Sequence, residues 1–191
     1  QTTGQSNSII VAEGLSDTDH SIVICKNTEA SIGYIQFLGF RCKALKEPDE
    51  LPQRKMEFIG NSITCGMGND NSVVACNKGE WYDKHNAYMA YGPVLARSLN
   101  SQWHLSSFSG IGLVQSCCDH KFNINAVFPT LQLQDGGSEW DFTRYVPDVV
   151  VVCLGQNDGQ LDSAVFINAY IEFVEYIRSK YSDAYIVCAT S

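Results

Sequence analysis

The segment that most constrains what this chain can fold into is residues 57–68. An apolar run of strand character ends at Gly60, and the polar pair Asn61-Ser62 follows before a glycine-containing turn. Such a turn presents a serine hydroxyl at the carboxyl end of a strand, where open α/β sheets keep their sites. Ser62 is then either a nucleophile whose oxyanion meets free backbone N–H groups, or only a cap for the following helix. Taken alone, this segment favours the cap.

A second segment, residues 147–159, changes that balance. Its continuous β-branched run predicts a strand buried on both faces, and the run ends at the glycine-flanked turn 155–159. Two parallel strands that end in this way would bring Ser62 and Asn157 to the same rim of the sheet. The sequence therefore predicts that both side chains belong to one site.

From residue 55 onward, strand and helix patterns alternate, which predicts a parallel sheet with right-handed crossovers. Apolar runs predict strands at 56–60, 102–108, 184–189 and from 147. Helical spacing predicts a helix over 86–100, kinked or started late by Pro93, and another over 163–181 with its aromatic face in the core. The long irregular loop 117–140 indicates a binding role or an excursion over the surface.

Residues 1–47 are predicted to be the remnant of a β-sandwich domain. The runs 21–25 and 33–40 are short, apolar or alternating, and separated by polar turns. Two or three strands cannot bury a core alone, so these must pack on the main domain or belong to a larger sandwich. The stretch 48–54, with its proline and charge, is predicted to be a linker, and 55–191 to be the second domain.

The charge of the chain limits its partners. A net charge of -8 and the lack of a basic stripe argue against nucleic acid and fit a protein that acts on neutral substrates. The chain contains no apolar run of about 18 residues, so no membrane span is predicted. Residues 1–6 lack the basic start and apolar centre of a signal peptide. A mature or truncated chain would lack a signal peptide as well.

The chain has eight cysteines, an even number that permits disulfides. Cys65 and Cys76 flank a polar loop just after the serine turn, so a disulfide between them is predicted to constrain that loop. The adjacent cysteines 117–118 are not expected to bond to each other. Cys153 and Cys188 lie in predicted core strands and are expected to be buried thiols. No cysteine spacing typical of a metal site is found.

Three short motifs together resemble those of the SGNH (GDSL-type) hydrolases. They are, in order, Gly60-Asn61-Ser62-Ile63, Ser109-Gly110 and Gly155-Gln156-Asn157-Asp158. Segments similar to the second family of carbohydrate esterases are 20–29, 55–68, 86–88 and 140–142. Members of that family pair a β-sandwich with a flavodoxin-like, three-layer SGNH domain and remove O-acetyl groups from xylan and glucomannan. The resemblance implies an α/β esterase that is incomplete at both ends.

The resemblance also implies the roles of individual residues. Ser62 would be the nucleophile, forming an acyl-enzyme that water hydrolyses. The backbone N–H groups of Ser62 and Gly110 and the side-chain amide of Asn157 would form the oxyanion hole. Gly112 is an alternative to Gly110, because Ser-Gly-Ile-Gly offers two glycines. Either glycine would otherwise serve only to allow a tight turn.

The chain departs from the family pattern at two points. The usual Gly-Asp-Ser is Gly-Asn-Ser here, so Asn61 keeps hydrogen-bonding capacity but loses charge. The family's catalytic histidine lies beyond the third motif, where this chain has no histidine. Of the four histidines present, His20 and His104 are expected to be structural. His85 and His120 lie on loops from which they could reach the rim, although neither occupies the position of the family's base.

Two other functions are considered, and the first of them stays open. A non-catalytic carbohydrate-binding protein would use Trp81, Tyr82 and Trp140 as sugar-stacking platforms, and the same side chains would bind substrate in an esterase. A nucleotide-binding turn at 60–68 is disfavoured because its glycine spacing fits neither phosphate-loop pattern and no lysine follows. The predicted protein is a secreted or extracytoplasmic esterase that acts on acetylated polysaccharide without a cofactor.

Overall fold

The structure, a computed structural model, describes residues 6–189. Four parallel strands form one sheet in the order β2-β1-β3-β4. The strands are β1 (Lys55–Gly60), β2 (Gln102–Ser107), β3 (Val149–Cys153) and β4 (Tyr185–Cys188). The α-helices are α1 (Ser62–Cys65), α2 (Tyr91–Ser98), α3 (Ile124–Val127) and α4 (Ser163–Lys180). Short 3₁₀ turns span Ala87–Met89, Leu131–Leu133 and Phe142–Arg144. The predicted parallel α/β sheet is confirmed.

The strand register brings the ends of three strands to one level. Gly60, the last residue of β1, pairs with Ser107 at the end of β2 and with Cys153 at the end of β3. The turns that follow these strands therefore begin at the same edge of the sheet. This edge carries the three sequence motifs at residues 60–63, 109–110 and 155–158.

Each face of the sheet packs against helices. On one face, Ile59 and Val152 belong to a fully buried cluster with Phe173 and Ile177 of α4. On the opposite face, buried residues of β1 and β3 contact Ala96 of α2. The result is a three-layer arrangement, as expected of this class of fold. Burial of the aromatic side of α4 confirms the helical pattern predicted there.

The second helix starts later than its pattern alone suggests. A 3₁₀ turn occupies Ala87–Met89, and α2 begins at Tyr91. Pro93 is the third residue of α2, where its missing N–H costs no intrahelical hydrogen bond. The late start anticipated from Pro93 is thus confirmed.

The strands predicted near the amino terminus are wrong. Residues 6–54 contain no strand, and apolar side chains such as Val23 and Leu38 are exposed. A strand requires a neighbour to pair its backbone groups, and these two runs find none among the described residues. No sheet of a sandwich forms in 6–54, while residues 1–5 lie outside the described part. The domain boundaries at 1–47, 48–54 and 55–191 stay predictions.

No helix within residues 6–189 combines the length and the apolar character needed to cross a bilayer. Nor do three or more His, Cys, Asp or Glu side chains gather there in a way that would hold a metal ion.

Candidate active site

Ser62 is the first residue of α1, but it is not the helix cap. The cap is Asn61, whose side-chain oxygen accepts a hydrogen bond from the Ile63 backbone N–H at 3.0 Å. Ser62 is half-buried, and no described residue forms a hydrogen bond with its Oγ. A half-buried hydroxyl at a helix start, relieved of the capping task, is available for chemistry. Asn61 therefore removes the simplest alternative explanation for Ser62.

Two backbone N–H groups at this edge are also unpaired. Within the described residues, neither the Ser62 N–H nor the Gly110 N–H donates to a protein acceptor. Gly110 is buried and has a φ of 82°, a conformation that favours glycine. Its carbonyl oxygen accepts from the Cys117 N–H at 2.9 Å, which holds the turn from the other side. Unpaired N–H groups held at one edge of the sheet are the donors that an oxyanion hole requires.

The structure separates the two glycines of the Ser-Gly-Ile-Gly sequence. The Gly112 N–H already donates to Ser116 Oγ at 3.0 Å. A Cβ on Gly112 would lie 1.8 Å from the Gln115 carbonyl oxygen. Gly112 is thus needed for a tight loop, and Gly110 is the glycine with a free donor. The geometry favours Gly110 over Gly112 for contact with a substrate.

Asn157 follows β3 at the same edge of the sheet. Its Nδ2 donates to the Ile111 carbonyl oxygen at 2.8 Å. Because an amide NH₂ has two hydrogens, a second donor remains after this bond. The bond orients the Asn157 side chain toward the loop that begins at Gly110. Asn157 and the Gly110 loop are therefore in direct contact.

Asp158, next to Asn157, joins the turn after β3 to the loop after β2. Its buried carboxylate accepts hydrogen bonds from the backbone N–H groups of Leu113, Val114 and Gln115 at 2.9, 2.6 and 3.1 Å. Bonds to an ionised acceptor are stronger than those between neutral groups. The place of Asp158 in the third motif is the only sequence signal for this role. Its role in the structure is to hold the loop in place.

A carboxylate from the amino-terminal region also reaches the site. Glu29 accepts a hydrogen bond from the Ser109 backbone N–H at 2.8 Å and another from Ser109 Oγ. Its Oε1 lies 3.1 Å from Nε2 of His85. Nothing in the local sequence pattern around Glu29 indicates this contact. The signal available was only its place inside the segment 20–29 that resembles the esterase family.

No histidine in residues 6–189 forms a hydrogen bond with Ser62. His85 is buried against Glu29, and its ring stacks edge-on to Trp81 with centroids 5.1 Å apart. His104, in β2, packs against aromatic rings, and His20 is exposed and bonded to a backbone oxygen near it in sequence. The His120 ring packs against phenylalanine rings. It also lies beside Gly110, since a Cβ added to Gly110 would be 3.0 Å from His120 Nε2.

The two tryptophans predicted to bind substrate occupy different surroundings. Trp81 is 48% exposed and packs edge-on against Tyr82. Trp140 packs against His104 and lines a cavity of about 330 Å³ beside β2. Ser62 is not among the described residues that line this cavity. The structure therefore does not bring Trp140 and Ser62 into one cavity.

The cysteine predictions need three corrections. Cys65 and Cys76 are both free thiols and do not form the predicted disulfide. Cys65 is buried and its Sγ lies 3.2 Å from Ser107 Oγ, whereas Cys76 is exposed. The adjacent cysteines 117–118 do form a disulfide, at a turn where Cys118 has a φ of 63°. Cys188 is exposed because β4 is at the edge of the described sheet, whereas Cys153 is buried as expected.

Burial makes Cys65 an unreactive thiol. Loss of solvation, reinforced by the nearby Glu29 carboxylate, raises the pKa of the Cys65 thiol to about 12. A thiol with this pKa is almost entirely protonated near neutral pH and is a poor nucleophile. Ser62, and not the neighbouring Cys65, is the candidate nucleophile of this turn.

Comparison with known proteins agrees with this architecture. The family model described as GDSL-like Lipase/Acylhydrolase family matches residues 58–191, and the one described as Carbohydrate esterase 2 N-terminal matches residues 1–52. Cellulase/esterase CelE of Acetivibrio thermocellus is 37% identical over 191 residues, which cover 96% of this chain and 23% of that protein. An acetylxylan esterase / glucomannan deacetylase of Cellvibrio japonicus is 34% identical over 143 residues, covering 72% of this chain and 39% of that protein.

Solved structures show the same relationship. A family two carbohydrate esterase from Clostridium thermocellum, in complex with cellohexaose, matches with a TM-score of 0.77 and 37% identity, over 86% of this chain and 52% of that one. A family two carbohydrate esterase from Cellvibrio japonicus matches with a TM-score of 0.67 and 31% identity, over 73% of this chain and 43% of that one. The chain thus spans about a quarter to a half of the length of these relatives. It belongs to the GDSL-like (SGNH) hydrolases, within the second family of carbohydrate esterases.

Proposed function

We propose that this chain is part of a serine esterase that removes O-acetyl groups from plant cell-wall polysaccharide such as xylan or glucomannan. The observation that carries the proposal is the free Ser62 hydroxyl at the edge that also presents the unpaired N–H groups of Ser62 and Gly110. The relatives named acetylxylan esterase / glucomannan deacetylase support the substrate class. A polymeric substrate of this kind supports a secreted or extracytoplasmic location.

In the proposed reaction, Ser62 Oγ attacks the acetyl carbonyl carbon and the carbonyl oxygen becomes an oxyanion. The N–H groups of Ser62 and Gly110 and the free hydrogen of the Asn157 amide would stabilise that charge. The ester C–O bond then breaks, the sugar oxygen leaves as a hydroxyl by taking up the proton that Ser62 lost, and water hydrolyses the acyl-enzyme to release acetate and restore Ser62. The mechanism requires no cofactor.

A base must take the proton from Ser62, because a serine hydroxyl is a weak nucleophile at its free pKa. No residue after Asn157 in this chain is a histidine. We propose that the base is a histidine located carboxyl-terminal to residue 191 in the complete protein, as the family resemblance implies. Binding of polysaccharide without turnover is the alternative function, since no described histidine forms a hydrogen bond with Ser62.

The test is acetate release from acetylated xylan and glucomannan by the full-length protein and its Ser62→Ala variant. The variant should lose turnover and keep its thermal unfolding midpoint. Ser163→Ala is the matched control, because Ser163 is likewise the first residue of a helix with a side-chain cap, at Asp162. Retained turnover in Ser62→Ala would remove Ser62 from the mechanism. Polysaccharide binding without acetate release by the unmodified protein would favour the binding function.

A further inference from the structure

Glu29 is unusual among the acidic residues of the amino-terminal region because its side chain is buried. The side chains of Glu29 and His85 are 2% and 0% exposed. By contrast, the carboxylates of Asp17 and Asp19 pair with lysines at the surface, where their side chains are 87% and 73% exposed. A carboxylate is buried in a protein only when partners replace its hydration. The partners of Glu29 lie in two separate loops of the hydrolase fold.

The backbone on either side of Glu29 is tied down. Lys26 Nζ donates to the Glu29 carbonyl oxygen and, at 2.8 Å, to that of Thr28. The Ile32 N–H donates to the Glu29 carbonyl oxygen at 3.0 Å. The Ala87 N–H donates to the carbonyl oxygen of residue 27 at 3.1 Å, which anchors this turn to the loop before α2. These hydrogen bonds therefore hold the turn 26–32 in place.

The carboxylate holds Ser109 at two points. One oxygen accepts from the Ser109 backbone N–H, and the other accepts from Ser109 Oγ. Two bonds from one rigid carboxylate leave Ser109 little freedom to rotate. Ser109 shares a peptide plane with Gly110, because the Ser109 carbonyl and the Gly110 N–H belong to the same peptide unit. With the N–H and the side chain of Ser109 held, the Gly110 N–H can change direction only by rotation about the Ser109 Cα–C bond.

Such support matters because Gly110 cannot orient its own N–H. Glycine lacks the Cβ that restricts other residues, so the φ of 82° is one of many accessible values in an unsupported turn. Oxyanion stabilisation, by contrast, depends on a donor already aimed at the position that the oxyanion will occupy. Two backbone bonds also hold this turn, from the Cys117 N–H to the Gly110 carbonyl oxygen and from the Ile111 N–H to the Phe108 carbonyl oxygen, but neither involves the Gly110 N–H itself.

We propose that Glu29 is a positioning residue for the esterase reaction: it aims the Gly110 N–H through its two hydrogen bonds to Ser109. This inference rests on the proposed function. In a purely structural role, by contrast, the buried pair of Glu29 and His85 would stabilise the fold and would not affect the oxyanion hole. In the proposed role, the bonds to Ser109 affect the chemical step and the bond to His85 affects stability.

The experiment compares Glu29→Ala, Glu29→Gln, Ser109→Ala and His85→Gln in the full-length protein, with Asp17→Ala as the matched control from the same region. For each, kcat and KM for acetylated xylan are measured together with the thermal unfolding midpoint. Glu29→Ala should lower kcat about 10- to 100-fold, the loss expected when a catalytic donor is misplaced, and leave KM within about twofold. Glu29→Gln keeps an acceptor oxygen and should recover part of that loss. Ser109→Ala removes one of the two bonds and should give an intermediate kcat.

His85→Gln should lower the unfolding midpoint but keep kcat within about threefold of the unmodified protein. An equal fall of kcat in His85→Gln, or an unchanged kcat in both Glu29→Ala and Ser109→Ala, would overturn the positioning role. If Glu29→Ala does not fold, Glu29→Gln and Ser109→Ala still decide the question. Ser62→Ala is measured alongside, and turnover in that variant would refute the proposed function and leave the Glu29 result standing by itself.

Hydrogen exchange supplies a readout that does not depend on turnover. The peptide spanning residues 106–113 should exchange faster in Glu29→Ala than in the unmodified protein, and at an unchanged rate in Asp17→Ala. Unchanged exchange in Glu29→Ala would show that Glu29 does not hold the Gly110 turn in place, whether or not the protein is active. Faster exchange in a protein that shows no turnover at all would overturn the catalytic role and the proposed function together.

Discussion

Asn61 donates a hydrogen bond from its side-chain Nδ2 to Oε1 of Gln156 at 2.5 Å. The two residues belong to the turns that follow β1 and β3, so this bond joins the turn that carries Ser62 to the turn that carries Asn157. The same Asn61 side chain accepts from the Ile63 N–H. An ionised aspartate accepts hydrogen bonds but donates none, whereas an asparagine does both. Asparagine at this position therefore preserves the cap and adds a donor to the neighbouring turn.

The first prediction concerns this pair. Asn61→Ala should lower the free energy of unfolding by about 1–2 kcal/mol, through loss of the helix cap and of the bond to Gln156. Asn61→Asp keeps the cap, and rotation of the Gln156 amide would allow it to donate to the new carboxylate, so we expect a loss below about 0.5 kcal/mol. Urea unfolding measures both variants. Equal losses in the two variants would show that the cap contributes little.

Asn157 allows a prediction about the rate. Asn157→Ala should lower kcat about 10²- to 10³-fold with little change in KM, because its amide would act on charge that develops in the transition state. Asn125→Ala is the matched control, since Asn125 Nδ2 donates to the Leu113 carbonyl oxygen of the same loop at 3.3 Å. A similar fall of kcat in both variants would assign the effect to the loop and not to an oxyanion donor.

The cysteines allow a chemical prediction. In the native protein near pH 8, iodoacetamide should label Cys76 readily and leave Cys65 unmodified, because the pKa of the buried Cys65 thiol is raised to about 12. After unfolding, both should react. Peptide mapping without reductant should recover the adjacent cysteines 117–118 linked to each other. Recovery of a peptide that links Cys65 to Cys76 would contradict this arrangement.

The sheet and the position of the candidate nucleophile could be predicted from local pattern. Continuous apolar runs end at Gly60 and Cys153, and parallel strands of similar length must end at one edge of the sheet. Helical spacing located α4, and Pro93 indicated the late start of α2. Each of these features depends on residues that are close in sequence. A single sequence is sufficient for them because the backbone period and side-chain burial are linked.

The supports of the site could not be predicted, because they depend on contacts between distant segments. Glu29 and Ser109 are separated by 80 residues, and Asp158 and Leu113 by 45. A buried carboxylate and an exposed one have the same local pattern in a sequence. The strands predicted at 21–25 and 33–40 fail for a related reason, since a strand exists only where another segment pairs with it.

The last prediction concerns Glu57, a buried carboxyl in β1 that accepts a hydrogen bond from Ser106 Oγ at 2.5 Å. Burial raises the pKa of Glu57 above its ordinary value, and this effect exceeds the opposing effects of the Ser106 hydroxyl and of His104. An unfolded glutamate ionises near pH 4.3, so above that pH the unfolded state releases a proton that the folded state retains. The stability contributed by protonated Glu57 is therefore complete below about pH 4.3 and is lost as the pH rises through the raised folded pKa.

Glu57→Gln stays neutral at every pH and should remove this dependence. The free energy of unfolding of the variant, relative to that of the unmodified protein, should increase by up to about 1.4 kcal/mol per pH unit above pH 4.3 and level off beyond the folded pKa. Urea unfolding between pH 4 and pH 8 measures the difference. Glu172→Gln, which removes an exposed carboxylate of α4, is the control variant. Parallel curves for Glu57→Gln and the unmodified protein would mean that Glu57 titrates alike in the folded and unfolded states.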